Sequence, residues 1–556
     1  MTIRSLRALP IVALMLLPAP PAAAAAAVIE VTTTADEFVD PGPGSGCSLR
    51  EAIRAANADA PYGGCQAGVG ADTIALGAAT YALAVPGSSE NLTATGDLDV
   101  LGDLTILGQG TTVIDGGGLD RVFHVDPASG GAGPSLSMSG LTVRGGDGAN
   151  LGGGIYVEYE GGLVLDRVLI TDNETTDTGG GLLADNEADV AISNSSISGN
   201  RSTNQGGGIG NWSDSVMTLT NATVSGNSSE TDGGGIINEN AARLTIENST
   251  ISENATSMDR GGGIFINNDG ILTVTNSTIS DNRAEEGGGG LFVNGDNDVT
   301  VTLTNITVAG NTADADGSDN GNGGGLAIEP GLTGTVIVKN SLIGDNDDGS
   351  PGGTGHPDCS APMSGPLTSQ GHNLIEDTSG CTLVGSSIGN ILGSDPALGA
   401  LADNGGPTST RALLPGSPAV DAADPAAAPP FDQRGVPRNP DIGAYELALC
   451  AGTVVNRIGT AANDVLTGTG GADGFLAGSG NDRVTGLGGN DGICLGPGND
   501  RAAGGGGKDT LLGEQGKDRL RGQGGRDRLK GGPGRDRCSG GPGRDRASCE
   551  TERKVP

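Results

Sequence analysis

Ten aspartates in one phase are the residues best placed to do chemistry. Asp464, Asp473, Asp482, Asp491, Asp500, Asp509, Asp518, Asp527, Asp536 and Asp545 recur every nine residues without slippage. Glycine stands two residues before most of them, and an apolar residue such as Phe475, Val484, Ile493 or Leu511 stands two residues after. Carboxylates in register, beside carbonyls that glycine leaves open, form the oxygen set a hard dication such as Ca2+ takes. The candidate metal ligands are Asn463, Asp464, Asp473, Gly480, Asn481, Asp482, Gly489, Asn490, Asp491, Gly498, Asn499 and Asp500, then Asp509, Asp518, Asp527, Asp536 and Asp545. The competing reading is a glycine-rich turn that binds nothing. It gains weight late in the run, where Lys508, Lys517, Arg526, Arg535 and Arg544 replace the asparagine before the aspartate. Cations there are expected to compete with calcium, so the repeats from Asp464 to Asp500 should bind more tightly than those from Asp509 to Asp545.

Other chemistry is thin. The three histidines, His124, His356 and His372, are widely separated, and each reads as a surface or capping residue. An acidic groove of Asp172, Asp281 and Asp345 is one reading, but a solvated turn explains them better. Asp115-Gly116-Gly117-Gly118 lacks the lysine and helix of a phosphate loop. Gly478-Ser479-Gly480 lies inside a nonapeptide and has no partnered histidine. The eight cysteines are an even number, as in an oxidising compartment. Proximity in sequence suggests Cys47 with Cys65, Cys359 with Cys381 and Cys538 with Cys549, leaving Cys450 and Cys494 for each other.

The elements that must position these residues follow from two periods. Gly triplets begin at Gly152, Gly179, Gly206, Gly233, Gly261, Gly288 and Gly323. Between them run segments such as LTIENSTISEN at 244–254, whose Leu244 and Ile246 alternate with polar residues, as in a strand. A period of about 27 residues built of short strands and Gly/Asn turns indicates a solenoid of three-stranded coils, with Leu244, Ile251 and Ile264 pointing inward. Asn173, Asn200, Asn227, Asn254, Asn282, Asn311 and Asn346 close successive coils and should stack, each amide bonding the next. CSLREAIRAAN at 47–57 reads as a short amphipathic helix capping the exposed end. With 556 residues the chain exceeds one ordinary core, and with 2% aromatics any core is thin and aliphatic. The net charge of −36 is uneven: residues 1–449 carry −39 and residues 450–556 carry +3. So acidic a surface repels nucleic acid and anionic lipid. Arg4 and Arg7, the apolar run from Ala8 to Leu17 and Ala25-Ala26-Ala27 read as an export signal, and no other stretch could span a membrane.

The nonapeptide follows G-G-x-G-x-D-x-U-x and resembles the RTX (haemolysin-type) calcium-binding repeats. That resemblance implies a parallel β-roll with two repeats per turn and about five turns. CSLREA at 47–52 resembles the cap domain of that name in secreted bacterial proteins. The strings GHNLI (371–375), DNGGPTST (403–410), LLPGSPAVDA (413–422), DQRGVPR (432–438) and DIGAYE (441–446) resemble the choice-of-anchor Q right-handed β-helix proteins. The expected fold is all-β, a right-handed parallel β-helix followed by a calcium-dependent β-roll. Its parts are a signal peptide (1–27), a cap with the first coils (28–140), β-helix repeats (141–350), a choice-of-anchor Q-type end of the β-helix (351–449) and the roll (450–556). The expected function is a secreted, non-catalytic, calcium-binding surface or adhesin-like protein whose partner is a cell-surface glycan or envelope component. The alternative is a polysaccharide lyase or hydrolase acting on acidic glycans in the β-helix groove.

Overall fold

The computed structural model describes residues 27–38, 44–88, 91–125, 133–148, 150–295, 298–315, 317, 321–350 and 355–553. The export signal read at 1–27 lies, apart from Ala27, outside them. Among the described residues no helix is long and apolar enough to cross a membrane.

The 27-residue period is one coil of a parallel β-helix. A representative coil runs through strands Ile236–Asn238, Arg243–Glu247, Thr250–Ser252 and Ala255–Thr256. The coil thus holds four strands where three were expected, because Asn248 bends the chain at φ 51° between the second and third, and a two-residue strand follows Asn254. Each strand pairs in parallel with the coils on either side: Ile236 with Ile209 and Ile264, Leu244 with Met217 and Leu272, Ile251 with Val224 and Ile279. Leu244, Ile251 and Ile264 are all buried in one core that runs from Ile29 to Ile375. The Gly triplets permit the stacking: a Cβ on Gly235 would stand 2.5 Å from the carbonyl oxygen of Gly263 in the next coil.

The asparagine ladder forms as read. From Asn173 to Asn311, each side-chain amide donates to the Oδ1 of the ladder asparagine one coil on, at 2.9–3.0 Å. Asn346 ends the ladder by donating to Asp358 Oδ1 at 2.9 Å.

At the start, helix Leu49–Ala58 covers the open end with Leu49, Ile53 and Ala56 buried. Ser48 and Glu51 form a reciprocal capping box at its N-terminus. After the last strands of the β-helix, residues 403–449 fold back as a strap along the outside of earlier coils. Gln433 Nε2 donates to Ser249 O at 3.0 Å, and Thr278 Oγ1 donates to Gln433 Oε1 at 2.6 Å. Arg438 Nη2 donates to Asn276 Oδ1 at 2.6 Å, and Ala444 N donates to Thr307 Oγ1 at 3.0 Å. The strap makes Thr250–Ser252, Thr278–Ser280 and Thr307–Ala309 buried on both faces, whereas the uncovered strands Ser196–Ser198 and Thr223–Ser225 bury one.

The nine-residue period forms two facing parallel sheets. One holds Arg483–Gly488, Arg501–Gly507, Arg519–Gly525 and Arg537–Ser539; the other holds Gly474–Leu476, Gly492–Cys494, Thr510–Leu512 and Arg528–Lys530. Paired residues are 18 apart, so two nonapeptides make one turn. The apolar residue of each repeat fills a separate narrow core of Phe475, Val484, Ile493, Leu511, Leu520 and Leu529. The four disulfides are Cys47–Cys65, Cys359–Cys381, Cys450–Cys494 and Cys538–Cys549, the pairing that proximity suggested. Cys450–Cys494 ties the end of the strap to the roll.

Candidate functional site

The aspartates line the two turn edges of the roll in two columns, Asp464-482-500-518-536 and Asp473-491-509-527-545. Within a column, Oδ1 of each aspartate accepts the backbone N–H of the aspartate one turn earlier, at 2.7–3.0 Å. This bond fixes the carboxylates from Asp482 onward, and Asp473 through Asp536 are buried. The second oxygen is the informative one. Oδ2 of Asp482, Asp491, Asp500, Asp509, Asp518, Asp527 and Asp536 is buried and accepts no hydrogen bond. A buried charged oxygen without a partner is costly, and here the defect repeats at every turn in the same orientation. Five of the seven face a glycine five residues upstream: a Cβ on Gly486 would stand 2.2 Å from Asp491 Oδ2, and one on Gly522 would stand 2.2 Å from Asp527 Oδ2, whereas Ala477 and Leu495 hold that place for Asp482 and Asp500. The glycine keeps that space open. Burial first, and then the like charge one turn earlier, push the carboxyls of Asp500, Asp518 and Asp527 up to about 6 and raise those of Asp482, Asp491 and Asp509. Unpaired carboxylate oxygens beside backbone carbonyls are an oxygen-only donor set, which fits a hard dication.

Three features depart from the sequence reading. Asp464 and Asp473 are already satisfied: Thr460 and Thr469 each donate a backbone N–H at 2.6 Å and a hydroxyl at 2.9 Å to Oδ2. The open oxygens therefore run from Asp482 to Asp536 and do not favour the earliest repeats. The asparagines lie outside the columns. Asn463, Asn481, Asn490 and Asn499 are exposed, and their Oδ1 atoms accept backbone N–H groups of the next turn at 2.6–3.1 Å. The cations expected to compete with calcium do not reach the columns. Lys508, Lys517, Arg526, Arg535 and Arg544 are exposed, and among the described residues the one ion pair to a column carboxylate is Arg457–Asp473 at 3.8 Å. Gly480, Gly489 and Gly498 sit where turns stack backbone on backbone; a Cβ on Gly489 would meet Gly471 O at 2.1 Å. Asp545 receives the N–H of Asp527 at the end of its column, and Glu550 takes over at the end of the other, accepting from Asp536 N at 2.8 Å. Glu550 falls out of phase, which hides it from the nine-residue pattern. Thr460 and Thr469 were visible as the only threonines four residues before a column aspartate.

The basic residues form a feature of their own. Arg483, Arg501, Arg519 and Arg537 are paired in register on successive strands and all exposed. With Arg521 the first three line a shallow groove of about 200 Å³. Stacked arginines stand about 4.8 Å apart, the spacing of neighbouring strands.

The histidines do not converge. His372 Nδ1 lies 2.8 Å from Ala422 O in the strap, His356 Nδ1 lies 3.3 Å from Ser379 Oγ, and His124 is buried near the cap. Asp281 pairs with Arg411 of the strap.

Comparison with known proteins agrees with this division. A family model for a right-handed β-helix region matches residues 129–313. The RTX calcium-binding nonapeptide repeat matches residues 458–493, 496–528 and 512–547. The chain carries both repeat types. No curated protein matches the chain. The crystal structure of pectate lyase Pel9A is similar to this chain with a TM-score of 0.41 and 14% identity, covering 76% of this chain and 96% of that one.

Proposed function

We propose that this chain is a secreted, non-catalytic surface protein in which calcium completes the C-terminal roll and the β-helix serves as a body for attachment. The observation that carries the reading is the row of seven buried, unpartnered carboxylate oxygens from Asp482 to Asp536. Calcium between successive turns would give each oxygen its missing partner and cancel the repulsion along the columns, so binding and folding are one event. Four disulfides suit an oxidising exterior, and the CSLREA and choice-of-anchor Q resemblances belong to the same reading. The partner is an anionic cell-surface glycan or envelope component. The arginine ladder supports it, because directly opposed like charges on neighbouring strands cost stability that a polyanion laid along them returns. Titration of the full chain with calcium, followed by circular dichroism and calorimetry, tests the first part; ordering is expected at about 10⁻⁴–10⁻³ M, the range of extracellular calcium modules. A roll equally ordered in chelator and in millimolar calcium overturns it. A glycan array with and without calcium tests the second part. The competing lyase or hydrolase reading predicts unsaturated or shortened products from a panel of polyuronides, and their appearance would replace this proposal.

A further inference from the structure

A cluster of two carboxylates and an imidazole, chemically unlike the columns of the roll, lies under the N-terminal cap. Asp97, Asp99 and His124 are buried together, and their ligand atoms lie within 4.8 Å of one another. Asp99 and His124 are paired central residues of the strands Leu98–Val100 and Phe123–Val125. Their neighbours Leu98, Val100, Phe123 and Val125 point into the β-helix core, so Asp99 and His124 stand on the outer side of the sheet. Further along that side the column turns apolar, with Leu183, Ile237, Phe265 and Phe292. A carboxylate and an imidazole at its head are therefore not required by the repeat.

The proton arrangement leaves a gap. His124 Nε2 is 3.4 Å from Glu158 Oε2, and a carboxylate only accepts, so Nε2 carries a hydrogen. In the neutral ring Nδ1 is then a bare lone pair. It faces Asp99 Oδ1 at 3.6 Å, and that oxygen is buried and accepts no hydrogen bond. Two lone pairs facing each other require a cation between them, either a second proton on the ring or a metal ion. A nitrogen and an oxygen bound to one tetrahedral zinc stand about 3.4 Å apart, from bond lengths near 2.1 Å. The surrounding charge agrees. Asp97, Asp99, Asp120 and Glu158 cluster around the Arg121 guanidinium, whose Nε is 3.1 Å from Asp97 Oδ2 and 3.8 Å from Asp120 Oδ1, and the second guanidinium at the site, Arg50, is ion-paired to Asp36.

The supports resemble those of a built site. Glu158 behind His124 is the carboxylate that fixes a metal-ligating imidazole. Thr93 N donates to Asp99 Oδ2 at 2.6 Å. The cap helix holds the backbone of both carboxylates: Arg50 Nη1 donates to Asp97 O at 2.9 Å, and Asn57 Nδ2 donates to Asp99 O at 2.8 Å. Arg50 itself is ion-paired to Asp36.

We infer that Asp97, Asp99 and His124 bind one transition-metal dication of the zinc class, which staples the cap to the first coils. An imidazole with two carboxylates suits zinc, cobalt or manganese, whereas calcium prefers oxygen alone. The test uses the full chain, stripped of metal and returned to millimolar calcium so that the roll is filled, and then titrated with Co2+ as a visible probe. One equivalent with d–d absorption is expected, lost in Asp99→Asn and His124→Gln and kept in His356→Gln, His372→Gln and Asp509→Asn. Absence of stoichiometric cobalt, or bands that survive both Asp99→Asn and His124→Gln, overturns the site and leaves a protonated imidazole as the cation. Should those two variants fail to fold, X-ray absorption on wild-type protein with one equivalent of zinc decides. A shell with one imidazole supports the site, and a shell of oxygen alone or with sulfur refutes it.

Discussion

An aspartate in the roll has two oxygens with different work. Oδ1 is committed to the backbone of the preceding turn, and Oδ2 from Asp482 to Asp536 is committed to nothing. The consequence for calcium-free protein is a dependence on pH. Carboxyls raised to about 6 by burial and by their column neighbours hold a proton more tightly in the folded roll than in the unfolded chain, where the value is near 3.9. Their contribution to stability is full below about pH 3.9 and is lost as pH rises through 6. Without calcium the roll should resist urea better at pH 5 than at pH 8, and millimolar calcium should remove or reverse the difference; an apo roll more stable at pH 8 contradicts the column electrostatics. Substitution separates the two classes of aspartate. Asp509→Asn keeps an acceptor for Asp491 N but removes a charged open oxygen, so the calcium midpoint should rise roughly tenfold, about 1.4 kcal/mol. In Asp473→Asn, Thr469 already occupied that oxygen, and the midpoint should stay near wild type. Equal shifts by calcium-monitored circular dichroism would mean that Oδ2 does not mark the sites.

At the scale of a coil, stability comes from the inward column and from the asparagine ladder, and both are cooperative along the axis. Ile251 is wholly buried between Val224 and Ile279, so Ile251→Ala should cost about 2–5 kcal/mol in denaturant titration of the β-helix. Asn227 accepts both the backbone and side-chain N–H of Asn200 and donates to Ile197 O and Asn254 Oδ1. Asn227→Ala leaves several of those groups buried and unmatched, at about 1–3 kcal/mol each. Either loss should spread to adjacent coils as reduced hydrogen-exchange protection, since each coil's partners are its neighbours; protection lost in one coil alone would contradict that coupling. These elements were legible because a strict period states the same contact many times: Leu244, Ile251 and Ile264 face inward, and the closing asparagines stack. The strap was not legible as a strap. Its segments are aperiodic, and Gln433 meets Ser249 across 184 positions of sequence, so nothing local names the partner. In the roll the aspartate columns could be read from spacing, but which oxygen stays open depends on whether a threonine stands four residues upstream, and on where the chain bends to place it. At the cap, Arg50 and Asn57 read as faces of a helix, and their bonds to the backbone of Asp97 and Asp99 emerge only once the helix is docked.

The molecule joins two solenoids that are stabilised by different means. The β-helix has a continuous aliphatic core and an asparagine ladder, both built from uncharged contacts between neighbouring coils, and a strap along its outside. The roll has a core one side chain deep, from Phe475 to Cys538, with buried carboxylates along both edges. Between them lies a small junction of Cys450, Val455 and Cys494, closed by a disulfide. Arg434 adds to it: ion-paired to Asp432 at 2.8 Å, it donates to Val455 O at 3.1 Å and Glu446 O at 2.7 Å, linking the strap to the first strand of the roll. Scanning calorimetry of the full chain should therefore show two transitions. The one assigned to the roll should move with calcium, since a ligand at a hundred times its dissociation constant adds about 2.7 kcal/mol per site. The one assigned to the β-helix should not move. Reduction of Cys450–Cys494 should lower the calcium-sensitive transition, because the roll loses its covalent link, through Cys494, to the segment that follows the strap. A single transition that shifts as a whole with calcium would mean that the junction couples the two cores into one cooperative unit, and the roll would then be a calcium-dependent lock on the entire β-helix.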